Sequence, residues 1–524
     1  MNALAGVGTL IRLDLRKDRV RLTAWMLVAA AMTASAAAAT VDVYPSEEAR
    51  RAAVASINSV PALVALYGPI AEPTTGATAV FKLTASGAAL VAVLTILTVV
   101  RHTRAEEETG RWELLRGEAT GRYAGLAAAG MLLVLTAFGL GTGAAAGLVA
   151  VGLPLSGSLV FGLGWAGAGL AFGALAAIAA QLTRSARAAS EIGLLVLVVA
   201  YLLRAVGDSS GPRWLSWLSP VGWAGQLRPY AGDRWWVLVL PTATAVVFGA
   251  VAFALSRRRD LGAGLFAVRH GAASAGRALS GPVGLAWRLD RSAVLSWTLA
   301  FAVLGLVAGN LSTSLGSFFS TPQARQMIAA LGGQQALTDA FLAAEFGVSG
   351  ILVSALAIVL IGRLRTEEAA GRAEAVLAGP VSRWRLAASA VAVVLAGTAV
   401  PLLAAGLAAG LVRGSGDMLP LAGAALVQLP AVWVLTGIAL VVFGMAPRAG
   451  WICWAALAAF LVVGEFGPLF HAPGWVLGSS PFAHLPHLPG EVVDAGPLLW
   501  LTAAAVLLGG AGLTAFRRRD LAAS

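Results

Sequence analysis

The chain has 524 residues, of which 58% are hydrophobic and 12% are charged, and its formal net charge is +11 at pH 7. An average soluble domain carries about 25% charged residues, so this composition excludes a soluble globular protein and indicates a membrane protein. The basic residues lie at the ends of apolar stretches rather than in one domain, which disfavours nucleic-acid binding and fits a positive-inside topology.

The chain begins with a basic cluster and then alternates between apolar runs and short charged segments. The cluster, from Arg12 to Arg21, precedes any apolar run, so we expect no cleavable signal peptide. Later apolar runs are each long enough to cross a hydrocarbon core of ~30 Å as a helix. They predict twelve spans, at 22–42, 80–100, 123–152, 157–182, 189–206, 235–256, 294–313, 346–362, 386–412, 418–446, 451–467 and 496–516. With both termini on the cytoplasmic side, most of the basic residues fall inside the cell.

The second half of the sequence repeats the first. Residues 104–113 are RAEEETGRWE and residues 365–374 are RTEEAAGRAE, so matching positions are 261 apart. Ser219-Pro220 matches Ser480-Pro481 at the same offset, and the basic run 257–259 matches 517–519 at 260. The segment Arg12-Leu13-Asp14 also has a counterpart, Arg288-Leu289-Asp290. Such a series indicates two copies of one unit.

These observations predict an all-α polytopic membrane protein with twelve transmembrane helices. The halves are 1–256 and 288–524, and the Gly-, Ala- and Arg-rich stretch 257–287 is a cytoplasmic linker. Because six is an even number of spans, the two halves enter the membrane in the same direction. We therefore expect a pseudo-twofold axis along the membrane normal.

The charged segments after the second and eighth spans are predicted as helices over about 101–122 and 363–385. At helical spacing Arg104, Glu107, Arg111 and Glu118 form a polar face with local ion pairs. A loop needed only for topology would keep its charge sign rather than its spacing. The repeated spacing therefore favours a docking function for both segments.

These residues carry a resemblance to a known family. The leading Arg-Leu-Asp segment, the six spans and the Arg-x-Glu-Glu-x-x-Gly-Arg-x-Glu segment resemble the type-2 ABC exporter permeases. The two-in-one length resembles the actinobacterial subfamily of exporters of polyketide antibiotics, over essentially the whole chain. The resemblance implies a bacterial cytoplasmic membrane protein, with amphipathic helices at about 10–20 and 284–292 lying along the inner interface.

In that family the charged segment is a coupling helix that sits in a cleft of an ATPase subunit. The resemblance assigns this role to Arg104, Glu106, Glu107, Gly110, Arg111, Glu113, Arg365, Glu367, Glu368, Gly371, Arg372 and Glu374. Because these positions lie outside the predicted spans, we expect charge reversal at the Glu-Glu pairs to weaken docking and to leave the fold intact.

The chain lacks the signature of a nucleotide-hydrolysing enzyme. A P-loop needs Gly-Lys-Ser/Thr, whereas Lys17 follows Arg16 and Lys82 follows Phe81. ATP and Mg are therefore expected on a separately encoded ATPase, and two coupling helices imply two copies of it. No cofactor or metal is expected on this chain itself.

Two other functions stay open on the sequence. A proton-coupled twelve-span secondary transporter would also have two parallel halves, but its ionisable candidates lie near span ends. These candidates are Lys82, Glu191, Arg204, Glu345 and Glu465. A non-transporting scaffold would use the external segments 43–79, 207–234, 314–345 and 468–495. His484 and His487 have no acidic or Cys partners at metal-ligand spacing, and the single Cys453 excludes an internal disulfide.

The predicted substrate cavity lies between the halves and is apolar and aromatic. If the chain follows its relatives, spans one, two, five, seven, eight and eleven line it. The candidate lining residues are Trp25, Phe81, Tyr201, Trp297, Phe346 and Trp451. Such a lining suits a hydrophobic or amphiphilic compound and no nucleic acid.

Overall fold

The computed structural model describes residues 3–44, 46–110, 120–209, 212–259, 263–265, 281–314, 333–466 and 473–519, together with residues 274, 276 and 279. Within these residues all regular structure is helical. The chain divides into two compact units, Met1–His270 and Gly271–Ser524. The division falls inside the stretch predicted as a linker.

The described residues of the first unit form six long α-helices and four short ones. In chain order they are α1 (Val7–Val43), α2 (Glu47–Asn58), α3 (Pro61–Tyr67), α4 (Thr75–Val100), α5 (Ala124–Ala150), α6 (Leu155–Leu182), α7 (Ala186–Ser209), α8 (Trp214–Trp217), α9 (Pro220–Gln226) and α10 (Val239–Ser256). The α4 helix continues beyond Val100 through a π-helical turn, Arg101–Ala105, and a last turn, Glu106–Glu108.

The centre of the first unit is α6, which packs against α4, α5 and α10. Its Trp165 and Phe172 are almost completely buried, and the Trp165 indole donates to the Leu83 carbonyl at 3.2 Å. This bond satisfies the one polar atom of the side chain in an apolar core. In contrast, α1 and α10 are exposed along most of their length.

The described residues of the second unit form five long α-helices and four shorter ones. They are α11 (Pro282–Ser314), α12 (Gly333–Ala369), α13 (Arg372–Leu377), α14 (Arg383–Arg413), α15 (Met418–Leu426), α16 (Leu429–Met445), α17 (Trp451–Phe466), α18 (Gly474–Leu477) and α19 (Ala495–Arg518). Its core forms where α12, α14 and α16 pack together, with α11 against α14 and α19 against α16.

Small residues set the closest helix crossings in both units. A Cβ built on Gly141 of α5 would lie 2.4 Å from the Gly162 carbonyl oxygen of α6, and one on Gly162 would lie 2.2 Å from that of Gly141. In the second unit, a Cβ on Gly305 of α11 would lie 2.1 Å from the Ala405 carbonyl oxygen of α14. Side chains are excluded at these contacts, as is typical of helices that associate within lipid.

Eleven helical stretches in the described residues are long and apolar enough to cross a membrane, against twelve predicted. The difference is at 451–467, where α17 has 16 residues. At ~1.5 Å per residue it is about 24 Å long, less than the ~30 Å of a hydrocarbon core.

The leading segments also differ from expectation. Residues 10–20 and 284–292 were expected as separate interfacial helices, whereas the structure continues each one into the span that follows, as α1 and α11. No Pro or Gly interrupts either junction, so the helical hydrogen bonds can run through.

Candidate functional site

The predicted coupling segment of the first unit begins as the extended end of α4. The helix ends at Gly110, whose φ of +69° is a left-handed conformation that favours glycine. Arg104, Glu106 and Glu107 therefore lie on the last turns of the α4 helix. The predicted coupling residues Arg111 and Glu113 lie outside the described residues.

Glu107 is held by two arginines inside the first unit. Arg259, just beyond the end of α10, binds both of its carboxylate oxygens, with Nη1 to Oε2 at 2.8 Å and Nη2 to Oε1 at 2.5 Å. Arg104, whose side chain is completely buried, donates to Oε2 at 2.5 Å. The pair of Arg104 and Glu107 was predicted from their spacing, but the bond to Arg259 was not.

Glu106 and its neighbours join α4 to α1. Lys17 of α1 donates to Glu106 Oε1 at 2.9 Å, and its Nζ lies 3.8 Å from Asp14 Oδ1. Both carboxylates are buried. The charged end of α4 is therefore fixed to the beginning of the chain as well as to the segment after α10.

His102 lies between two aspartates of α1. Its Nε2 is 2.7 Å from Asp18 Oδ2 and its Nδ1 is 3.2 Å from Asp14 Oδ1, while Arg101 Nη1 is 3.1 Å from Asp18 Oδ1. Single atoms of Asp14, His102 and Glu106 lie within 4.8 Å of one another, a spacing that a metal ion can use. The Lys17 ammonium already lies beside the Glu106 and Asp14 carboxylates and supplies the cation that a metal ion would otherwise provide.

The second unit contains ion pairs at equivalent sequence positions. Glu368, which corresponds to Glu107, receives Arg519 Nη2 at 2.9 and 2.7 Å. Arg519 corresponds to Arg259 through the repeated basic run. Arg363 stands at the position of His102 and pairs with Asp290, the counterpart of Asp14. A permanent cation thus occupies the place that a histidine has in the first unit.

The remaining predicted coupling residues of the second unit surround a sharp bend. Gly371 has φ +69°, like Gly110, and α13 begins directly after it. Arg372 binds Glu367 across the bend through Nε at 2.7 Å and Nη2 at 2.8 Å. Hydrogen bonding to Glu367 raises the pKa of Arg372. Arg365 and Glu374 are exposed.

The predicted coupling residues therefore have two different environments in the structure. Glu106, Glu107 and Glu368 pair with the chain's own cations, whereas Arg365, Arg372 and Glu374 are exposed. From these pairs we predict, against the expectation from the sequence, that charge reversal at Glu107 or Glu368 destabilises the fold. The clusters also contain four residues for which no sequence pattern predicts a partner: Lys17, His102, Arg259 and Arg519.

The aromatic residues predicted to line a substrate cavity have different surroundings. Within its own unit Phe346 is almost completely buried, Trp451 is exposed, and Trp25 and Trp297 are half-buried beside apolar cores. Tyr201 donates to the Leu66 carbonyl. Of the six, Phe81 lines a cavity of the first unit that Arg204 and Asp208 also line.

The ionisable candidates for a secondary transporter are also spread apart. Lys82 and Glu191 are exposed, and Glu191 pairs with Arg187 at 2.8 Å. Arg204 is buried and its Nη1 lies 3.2 Å from Asp208 of the same helix. Glu345 is half-buried, and the Glu465 side chain lies outside the described residues.

An all-helical chain with eleven candidate spans and charged clusters at helix ends defines a polytopic membrane protein. Comparison with known proteins narrows this class. Residues 279–517 match the family profile described as "Multidrug efflux system permease Rv1217c, C-terminal domain". The chain is 44% identical over 530 residues to "Multidrug efflux system permease protein Rv1217c" of Mycobacterium tuberculosis (strain ATCC 25618 / H37Rv), which covers 99% of this chain and 96% of the relative.

The chain belongs to this family of multidrug efflux permeases. Membership is consistent with the resemblance to ABC-type exporter permeases that the charged segments indicated. It identifies the chain as a membrane permease for efflux.

Proposed function

We propose that this chain is the membrane-spanning subunit of an ATP-driven exporter of hydrophobic or amphiphilic compounds, such as polyketide antibiotics or drugs. Two copies of a separate ATPase, which bind ATP and Mg, would drive alternating access. The observation that carries the proposal is the similarity to a multidrug efflux permease along nearly the whole chain. The absence of a P-loop lysine from the sequence supports a separate source of energy.

The ion-pair clusters suggest how force from an ATPase would reach the spans. In the first unit the segment after α4 is tied to α1 through Lys17 and to the segment after α10 through Arg259. A movement imposed on that segment would therefore shift three elements together. In the second unit the bond between Glu368 and Arg519 would couple α12 to the segment after α19.

The division into buried and exposed charges also refines the proposed docking surface. Side chains already paired inside the chain are poorly placed to bind a partner. We assign docking to Arg365 and Glu374, which are exposed and form no ion pair with the described residues.

The source of energy is tested by reconstituting the purified chain in vesicles with and without its ATPase. The chain alone is expected to hydrolyse no ATP. With the ATPase, drug export is expected to stop on addition of vanadate and to continue when a protonophore collapses the proton gradient. Export by the chain alone under an imposed proton gradient would instead identify a secondary transporter.

The docking surface is tested with Glu374→Lys, which reverses an exposed charge on α13. We expect at least about thirtyfold weaker binding of the ATPase, because a charged interface contact is typically worth about 2 kcal/mol or more when one partner is removed. The thermal stability of the chain should not change, since the side chain is exposed. Binding is measured by titrating the ATPase against the immobilised, detergent-solubilised permease.

The matched control for this experiment is Glu48→Lys. Glu48 is an exposed glutamate of α2, which the predicted topology places on the external side of the membrane. This variant makes the same charge change where no ATPase can reach it. Equal ATPase affinity for the Glu374→Lys and Glu48→Lys variants would remove α13 from the docking surface.

A further inference from the structure

The first unit contains a cavity of about 460 Å³ whose lining is strongly basic. It lies among α4, the end of α7, and the segment that holds α8 and α9. Four arginines line it against one carboxylate, that of Asp208. The four are Arg204, Arg213, Arg228 and Arg234.

Asp208 is already engaged and does not balance these charges. Its Oδ2 lies 3.2 Å from Arg204 Nη1, and its Oδ1 accepts a hydrogen bond from Ser216 Oγ at 2.6 Å. The side chains of Arg213, Arg228 and Arg234 have no hydrogen-bond or ion-pair partner among the described residues. The cavity therefore has an uncompensated excess of positive charge.

Arg204 makes this a built site rather than a group of surface charges. It is 2% exposed, and its Nη2 donates to the carbonyl oxygens of Ala65 at 2.5 Å and Leu66 at 3.0 Å. Its guanidinium also lies 4.5 Å from the centre of the Tyr201 ring. These contacts fix the guanidinium of Arg204 at the cavity, although its buried Nε–H has no acceptor among the described residues.

The segment that carries Arg228 and Arg234 is held by Tyr230 between them. The Tyr230 hydroxyl is 2.6 Å from Ser158 Oγ, and its carbonyl oxygen accepts a hydrogen bond from Thr74 Oγ1 at 3.0 Å. Its N–H donates to Asp233 at 2.8 Å. The two cavity arginines therefore project from a fixed backbone.

The repeat does not share these arginines. At the 261-residue offset that aligns Ser219-Pro220 with Ser480-Pro481, the second half has Glu465, Gly474 and Pro489 in place of Arg204, Arg213 and Arg228. The basic group is therefore a feature of the first half of the sequence alone. This difference favours a binding role specific to the first unit.

Part of the lining is apolar. Ile70, Val80, Phe81 and Val221 contribute to it, and the volume falls within the range of about 300–1,000 Å³ that is usual for small-molecule sites. Arginine binds phosphate and carboxylate groups through paired N–H donors. We propose that this cavity binds an anionic amphiphile, with a phosphate or carboxylate against the arginines and an apolar part against Phe81.

The proposal is tested by titrating dodecyl phosphate into the full chain, purified in a neutral maltoside detergent without ATP or ATPase. Binding is followed by isothermal titration calorimetry. The double variant Arg228→Gln/Arg234→Gln is expected to bind at least tenfold more weakly. Arg228→Lys/Arg234→Lys retains the charge and is expected to stay within about fivefold of the unmodified chain. Dodecanol, which has the same tail and no charge, is expected not to compete.

Arg16→Gln/Arg19→Gln is the control for an equal loss of charge, since both residues are exposed on α1 and do not line the cavity. This control should bind like the unmodified chain. Equal affinity in the Arg228→Gln/Arg234→Gln variant would overturn the site. If inorganic phosphate bound as tightly as dodecyl phosphate, the apolar wall would contribute nothing and the amphiphile would be the wrong ligand class.

The same variants distinguish a membrane lipid from a compound in transit. Less phospholipid co-purifying with the Arg228→Gln/Arg234→Gln variant, together with weaker dodecyl phosphate binding, identifies a lipid headgroup. Unchanged phospholipid content with weaker dodecyl phosphate binding identifies a soluble amphiphile. Either result supports the site, and neither depends on ATP, so it stands or fails apart from the proposed exporter function.

Discussion

Glu107→Lys is expected to destabilise the first unit by about 3–5 kcal/mol, the usual cost of leaving a buried charge without its partner. The change would place a lysine between Arg104 and Arg259, both of which have less than a tenth of their side chains exposed. Glu368→Lys should act in the same way on Arg519 in the second unit. The measurement is the thermal unfolding temperature of each purified variant, followed by intrinsic fluorescence in detergent.

Two variants control for this effect. Glu374→Lys reverses an exposed charge on α13, six residues after Glu368, and should leave the unfolding temperature unchanged. The swap Glu107→Arg/Arg259→Glu restores opposite charges and should recover part of the stability that Glu107→Lys loses. A Glu107→Lys protein as stable as the unmodified chain, yet unable to bind the ATPase, would show that Glu107 is a docking residue after all.

Gly147→Val is expected to prevent correct packing of α5 against α1, at a cost above about 3 kcal/mol. A Cβ at this position would lie 2.1 Å from the Ala30 carbonyl oxygen and 2.4 Å from Thr33 Oγ1. Thr33 is itself fixed by a hydrogen bond to the Ala144 carbonyl at 2.9 Å. Since the clash is with backbone, no side-chain rotation can relieve it.

The control for this second experiment lies in the same helix. Gly130 of α5 has no atom within 4 Å of its Cβ position, so Gly130→Val should fold normally. The yield of monodisperse protein on size-exclusion chromatography compares the two variants directly. Equal yields would mean that α1 and α5 are not in close backbone contact.

The spans could be predicted because their signal is local. Uninterrupted apolar runs predict seven of the eleven long helical stretches within about three residues of both ends. The other four extend beyond the prediction: α1 and α11 at their beginnings, α4 mainly at its end and α12 at both ends. These extensions carry charged residues, so hydropathy marks where lipid contact begins and ends but not where the helix does. Gly110 and Gly371, which occupy the same position in the two copies of the repeat, both adopt the left-handed conformation that favours glycine.

The ion-pair clusters could not be predicted in the same way. Lys17 and Glu106 are 89 residues apart, and Glu107 and Arg259 are 152 apart. A basic run after a span serves positive-inside topology equally well when its arginines are free, so local sequence does not distinguish a paired arginine from a solvated one. The matched Arg259 and Arg519 in the repeat were the one available clue.

The length of α1 has a consequence for how the two sides of the membrane communicate. Its 37 residues without a break extend about 55 Å, well beyond a hydrocarbon core of ~30 Å. Lys17 holds this rod near one end, and Tyr44 ends it at the other, where its carbonyl accepts Arg50 Nη1 at 3.1 Å. A tilt imposed at the Lys17 end would therefore be transmitted to α2 at the other end, since α1 has no flexible joint to absorb it.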